Sequence, residues 1–149
     1  MEVRAARPGD VAVIRDLVQR AYAPYVARIG RRPAPMDDDY GEKVGQGCVF
    51  VAEDADRVVG LIVLVHHPDH VLIENVAVDP DRQSEGIGRM LLAFAETSAR
   101  EAGISTLRLY TNAAMTENLA FYPRLGYTET GRRTDSGFGR VFFAKHLDS

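Results

Sequence analysis

Residues Arg82-Gln83-Ser84-Glu85-Gly86-Ile87-Gly88-Arg89-Met90-Leu91 have the composition of an anion cradle. Gly86 and Gly88 lack a Cβ, so the chain can turn tightly and approach a ligand. The amphipathic run behind them starts a helix whose first amides have no partner within it. The chemistry implied is binding of a pyrophosphate. Just upstream, Glu74 lies within Leu72-Ile73-Glu74-Asn75-Val76. A carboxylate among apolar neighbours has a raised pKa and can accept a proton directly or through water. Alternation places Glu74, Val76 and Val78 on one strand face, so a polar residue at a strand edge is the competing reading.

The elements that must position these groups are legible from periodicity. Met1 to Ala6 alternates as a short strand, and Asp10 N-caps a helix carrying Val11, Ile14, Leu17, Val18 and Ala21. Ala23 to Gly47 holds four glycines and three prolines, which predicts short helices and loops. Cys48–Ala52, Val58–Val65 and Val71–Val78 are β-branched runs that read as an antiparallel meander. Ile87, Met90, Leu91, Phe94 and Ala95 share one helical face, with Gly103 as the stop. Leu107 to Tyr110 is a fifth strand, Met115 to Arg124 a short helix ending at Gly126, and Tyr127–Gly131 with Phe138–Ala144 a closing hairpin. The order predicts a single α/β (α+β) domain with a mixed, mostly antiparallel sheet of about seven strands and about four helices. Crossover helices imply a parallel pair within it.

A chain of 149 residues, 46% hydrophobic and 26% charged, suffices for one core. Its net charge of −3 argues against a bulk nucleic-acid binder. No apolar run approaches the roughly 18 residues of a membrane span, and no leader pattern opens the chain, so a cytoplasmic protein is expected. Cys48 has no partner for a disulfide and reads as a small buried hydrophobe. His66, His67 and His70 fall in a hairpin turn with Pro68 and Asp69, where a solvated turn is favoured over a metal site. Arg28, Arg31 and Arg32 precede the acidic run Asp37-Asp38-Asp39.

Neighbouring residues narrow the ligand. A nucleotide P-loop needs Lys and Ser/Thr after the second glycine, where this chain has Arg89 and Met90, and a dinucleotide fold needs a third glycine where Leu91 stands. Val76-Ala77-Val78-Asp79-Pro80 followed by Gln83-x-x-Gly86-x-Gly88 is instead similar to the acetyl-CoA motif of the GCN5-related N-acetyltransferases. The block Asn118-Leu-Ala120-Phe121-Tyr122-Pro-Arg-Leu-Gly126-Tyr127 resembles a second motif of that family.

The resemblance implies an acetyl-CoA-dependent N-acetyltransferase that moves acetyl to a primary amine by direct transfer in a ternary complex, with no metal. A small-molecule acceptor is favoured. A non-catalytic acyl-CoA sensor, a protein acetyltransferase and a nucleotide-binding module are the alternatives. It implies cofactor contacts from Val76, Ala77 and Val78, from Gln83, Ser84, Glu85, Gly86, Ile87, Gly88 and Arg89, and from Asn118 and Tyr122. Tyr122 is implied as the general acid near the cofactor sulfur. A phenol of ordinary pKa protonates a thiolate at a cost of roughly 2 kcal/mol. Glu74 is the candidate base, with water chains as the family's other solution. Glu85 departs from the common pattern; it is expected to turn to solvent, with offset by Arg82 and Arg89 as the alternative. Asp37, Asp38 and Asp39, with Tyr25 and Tyr40 as flat walls, could attract a cationic amine. Homodimers occur in the family, though no stripe of this sequence specifies an interface.

Overall fold

The computed structural model describes residues 1–148. A seven-stranded sheet runs in the order β1-β2-β3-β4-β5-β7-β6. Its strands are β1 (Glu2–Ala5), β2 (Val49–Asp54), β3 (Arg57–His66), β4 (Val71–Val78), β5 (Thr106–Asn112), β6 (Thr128–Asp135) and β7 (Phe138–His146). The β2-β3-β4 meander is antiparallel as expected, and β4–β5, joined through a helix, is the parallel pair. The closing hairpin folds so that β7 inserts beside β5 and leaves β6 at the edge.

Four α-helices cover the two faces: α1 (Val11–Ile29), α2 (Tyr40–Gly45), α3 (Ile87–Glu101) and α4 (Thr116–Arg124). Alternation along β3, shifted by a bulge at Val59, splits the core between them. Val59, Ile62 and Leu64 join the cluster under α3 and α4, whereas Leu61 and Val63 join Ile14, Leu17, Val18, Tyr40 and Val44 under α1 and α2. Within α3 the buried stripe is Ile87, Leu91, Leu92, Ala95 and Ala99; Met90 and Phe94 flank it half-buried.

Three local expectations change. The first helix does not stop near Ala21 but continues through Pro24 to Ile29, where Gly30 (φ 86) caps it. The proline removes one N–H, and packing carries the helix past that loss. Asp10 occupies the N-cap position of α1, but its carboxylate turns back to the Arg7 amide (2.7 Å) and to Arg4 (2.8 Å). Cys48 is half-buried at the margin of the α1/α2 core.

Two irregularities shape the centre of the sheet. Val63 pairs with Asn75 and Leu64 with Ile73, so Glu74 is an extra residue without a partner in β3. A bulge of this kind bends the strand and increases its twist. At the same point the pairing of β4 with β5 ends: only Val71, Ile73 and the residue between them match Leu107–Leu109. Beyond Ile73 the two strands diverge.

Close packing of α3 onto β3 depends on Gly60. A Cβ there would lie 3.0 Å from Ile87 Cγ2, 3.1 Å from Leu91 Cδ1 and 3.2 Å from the Ala77 carbonyl. Gly60→Ala is therefore expected to destabilise the domain by about 1–3 kcal/mol, read as a shift of the urea midpoint at unchanged m-value.

Candidate active site

The bulge decides which way the residues of β4 face. Asn75 points to the α1/α2 side, where it meets Tyr22 and Tyr40, and Ala77 packs into the same core. Val76 and Val78 pack toward α3 and α4. Glu74 contacts Lys43 of α2, so it lies on the face opposite Val76 and Val78 rather than with them. Its surroundings also differ from the sequence expectation. Its side chain is 22% exposed and pairs with an ammonium instead of sitting among apolar groups. Burial pulls Lys43 down, but the contact with Glu74 and the charges of Glu74 and Asp38 outweigh it, so the net shift is upward.

Backbone groups of β4 line the gap. The Asp79 amide bonds to the Val59 carbonyl at 2.8 Å. By antiparallel alternation Ala77 then exchanges bonds with Leu61, and Val76 and Val78 turn their N–H and C=O groups away from β3 into the cleft. These groups form a free strand edge inside the molecule.

That edge runs into the cradle. Buried Asp79 accepts from Arg20 of α1 (2.9 Å) and from the Asp81 amide (2.9 Å), which fixes the turn where β4 ends. The Arg20 guanidinium holds the Asp79 carboxyl below its ordinary range. Ser84 (φ 68) and Gly86 (φ 84) then adopt left-handed conformations, and α3 begins at Ile87 with no side chain capping its N-terminus. The first-turn amides therefore remain available to an anion. Gly86 is required for its backbone angle, whereas a Cβ on Gly88 would just reach Phe121 Cζ and Val78 Cγ2 at 3.9 Å, so a methyl fits there and only a larger side chain would narrow the groove. Gln83, Ser84 and Arg89 line the same groove, of about 620 Å³.

Glu85 does not line the groove. Its carboxylate receives Arg82 Nε at 2.9 and 3.0 Å, and Arg82 also binds Asp54 at 2.7 Å. The expected turn outward is accompanied by pairing, because the i,i+3 arginine is within reach. The result is a neutralised carboxylate outside the cradle and an arginine held between two acids.

The opposite wall is α4. Asn118 and Tyr122 are four residues apart and so share one helical face. Asn118 donates to Thr111 Oγ1 at 3.0 Å, tying α4 to the end of β5, and does not cap the helix. Thr111 is a strand residue, whereas Asn112 makes the turn by accepting from the Ala114 amide (2.9 Å). The Tyr122 ring is held by Phe121, Tyr127 and Phe143 at centroid distances of 5.6, 5.7 and 5.8 Å. Its hydroxyl makes no hydrogen bond to any described residue, and the side chain lines the cleft on both sides. Burial pushes this phenol up to about 12. Full protonation of a cysteine-like thiolate then costs about 5 kcal/mol rather than 2.

A second, compact cavity of about 70 Å³ lies on the other side of Tyr122, between β4, the ends of β5 and β7, and the Pro33–Pro35 segment. Tyr22, Val76, Met115, Asn118 and Tyr122 line both spaces. Glu74 faces the compact cavity. Asp37, Asp38 and Asp39 line neither: Asp37 pairs with Arg32, Asp39 caps α2 through the Glu42 amide, and Asp38 is half-buried near Lys43. Of the two proposed flat walls, Tyr25 belongs to the larger groove and Tyr40 is buried behind Asn75. Above the cleft Glu117 of α4 accepts from Tyr25 (2.7 Å) and Arg28 (2.7 Å) of α1, joining the helices over the gap. The three histidines sit at the β3–β4 hairpin, at the far end of β4 from the cradle; His67 stacks on His70, which contacts Asp69.

Tyr22 was not singled out by sequence, although it is the hub of the site. Its hydroxyl donates to Asn75 Oδ1, Asn75 Nδ2 donates to Tyr40 Oη (3.0 Å), and Tyr40 donates to the Pro35 carbonyl (2.6 Å). Burial raises the Tyr22 pKa well above its ordinary value, keeping this relay protonated. Helical spacing from Val18 offered a hint, but only the bulge reveals Asn75 as its partner.

The sequence profile of the acetyltransferase (GNAT) domain matches residues 45–129, more than half of the chain. The chain belongs to the GNAT family. Family membership covers the cradle, the splayed strands and α4, the elements that form the larger groove. Among relatives, the ribosomal protein bS18 alanine N-acetyltransferase of Salmonella typhimurium is 35% identical over 74 residues, half of each chain. A mycothiol acetyltransferase of Propionibacterium freudenreichii is 29% identical over 111 residues, 74% of this GNAT chain and 31% of the relative. The chain thus spans half or less of the length of these two relatives. The fold is shared with the PaiA N-acetyltransferase of Thermoplasma acidophilum, solved with coenzyme A, at a TM-score of 0.83 and 17% identity over 98% of both chains. No helix among the described residues is long and apolar enough to cross a membrane.

The Arg20–Asp79 pair anchors α1 to the end of β4. Asp79→Asn should cost about 1–2 kcal/mol at pH 7, less than a fully buried pair because Arg20 is half-exposed. Because the folded-state pKa of Asp79 is depressed, its contribution is present above the unfolded value of about 3.9 and is lost as pH falls through the folded value. The stability gap between wild type and variant should close below about pH 4 in denaturation curves taken across pH.

Proposed function

We propose that this GNAT domain is an acetyl-CoA-dependent N-acetyltransferase acting on the primary amine of a small molecule, with both substrates bound together. The observation that carries the reading is the meeting of two cavities at Tyr122: a long groove ending in an anion cradle, and a compact chamber reached through the gap between β4 and β5. The curated relatives named as acetyltransferases support the same class of reaction.

The groove fits coenzyme A on its own features. The uncapped N-terminus of α3 and the Gly86–Gly88 turn suit the pyrophosphate, with Gln83, Ser84, Ile87 and Arg89 around it. The free N–H and C=O groups of Val76 and Val78, with Ala77 between them, suit the amides of the pantetheine arm, which would add to β4 as a short extra strand. Acetyl-CoA supplies an activated acyl thioester at the inner end. Asn118 and Tyr122 stand at that end. Tyr122, with its ring fixed by three aromatic neighbours and its hydroxyl unpartnered, donates a hydrogen bond to developing charge on sulfur. Its raised pKa makes complete proton transfer a late event.

On the acceptor side Glu74 is the carboxylate nearest in role to a base. Its pairing with Lys43 suits it to hold an ammonium and to pass its proton through water rather than to abstract it as an isolated buried acid. The small size of the chamber favours a small acceptor over a polypeptide end.

Calorimetry with CoA, followed by thiol release over an amine panel, tests the reading. Tight binding without thiol release for any amine would identify a sensor. Tyr122→Phe should lower kcat by about 100-fold with little change in KM for acetyl-CoA. Gly88→Val, which narrows the groove between Phe121 and Val78, should weaken CoA by at least about tenfold while leaving the melting temperature near wild type.

A further inference from the structure

The compact chamber has one charged side chain of each sign in its lining: Glu74 on β4 and Arg140 on β7, with β5 between them. Glu74 is backed by Lys43 from outside the chamber. Arg140 is the less expected of the two. Its side chain is only 14% exposed, and its guanidinium lies over the Tyr110 ring at 4.5 Å, with Phe138 at 5.7 Å. Among the described residues its one hydrogen-bond partner is Asp135, which Nη1 reaches at 2.9 Å and which is itself 46% exposed. The Nε–H and Nη2–H donors have no acceptor among the described residues.

A guanidinium so little exposed, with most of its donors unused by the protein, presents those donors to whatever acceptor enters the chamber. The rings of Tyr110 and Phe138 occupy positions beside its plane, leaving the donor edge, the part that matches a carboxylate or phosphate oxygen pair. An acceptor carrying only an ammonium would meet Arg140 as a like charge in a confined space.

Building on the acetyltransferase reading above, we propose that the acceptor is a compact amine that also bears an anionic group a few bonds from the nitrogen. Arg140 binds the anion, and Glu74 and Asn75 face the ammonium. A carboxylate and a phosphonate or phosphate share this chemistry. Arg140 is then a specificity residue, with Asp135 holding its Nη1 so that the remaining donors face inward.

The test uses the full chain saturated with CoA and matched probes: a panel of free amino acids, the corresponding amino-acid amides, and aminoalkylphosphonates. Binding is read by ligand-detected NMR and turnover by thiol release with acetyl-CoA. The best-bound acid or phosphonate should exceed its uncharged counterpart by about tenfold or more, the worth of one charge-assisted contact. The carboxylate and phosphonate arms identify which anion is preferred. Arg140→Gln should reduce that ratio to near one, with Arg140→Lys intermediate; a merely structural arginine would lower acid and amide together and leave the ratio intact. Should Arg140→Gln fail to fold, Asp135→Asn reads the same contact, since loosening the hold on Nη1 should lower the ratio. Amides bound as well as acids by the wild type, or an acid preference that survives in Arg140→Gln, would overturn the proposal. Acid preference without any thiol release would count against acetyl transfer and leave the anion site standing, whereas efficient transfer to amines regardless of anion would do the reverse.

Discussion

Hydrogen bonding between β4 and β5 ceases after Ile73, and the chemistry of the domain is arranged around that parting. Neighbouring strands in a sheet normally leave no room between them for a ligand. Here one additional residue, Glu74, bends β4 and turns over the side chains that follow it. The freed half of the strand is held from the other side: Asn75 joins Tyr22 and Tyr40, and Asp79 joins Arg20. Buried backbone groups must find partners somewhere. The unpaired groups of Val76 and Val78 therefore make the cleft a place that favours a ligand with amides of its own.

Charge is distributed so that the two ends of the cleft differ. At the cradle, the helix amides and Arg89 present positive potential, and Glu85 is neutralised by Arg82 outside the groove. At the chamber, each charged group is partly compensated from behind, Glu74 by Lys43 and Arg140 by Asp135. Between them Tyr122 sits in an aromatic surround that keeps it neutral and oriented.

Strand and helix periodicity made most of the fold readable from sequence, because β-branched runs and the 3.6-residue stripe of α3 report burial directly. The glycine cradle was equally readable, since Gly86 is demanded by its backbone angle and Gly88 keeps the groove wide beside it. Three things were not. The bulge at Glu74 leaves no composition signal, so strict alternation assigned that residue to the wrong face. The continuation of α1 through Pro24 depends on packing against α2 and strands distant in sequence, which local propensity does not contain. The acidic run Asp37–Asp39 looked like a site because its charge is contiguous, yet Asp37 pairs with Arg32, Asp39 caps α2 and Asp38 is half-buried beside Lys43. Arg140 and Tyr22 were passed over for the complementary reason: each is an ordinary residue whose importance comes from partners 30 or more positions away.

The cleft has a mechanical asymmetry. Strands β1 to β4 form one leaf and β5, β7 and β6 another, joined in the sheet only by the short parallel pairing at Val71–Ile73. Across the open end the leaves are linked by side chains, with Glu117 grasping Tyr25 and Arg28. The spine is stiff and the latch is soft, so bending concentrates along the line where two substrates would meet. The core under α3 and α4 runs unbroken across both leaves, so the cleft can yield only at its latched end.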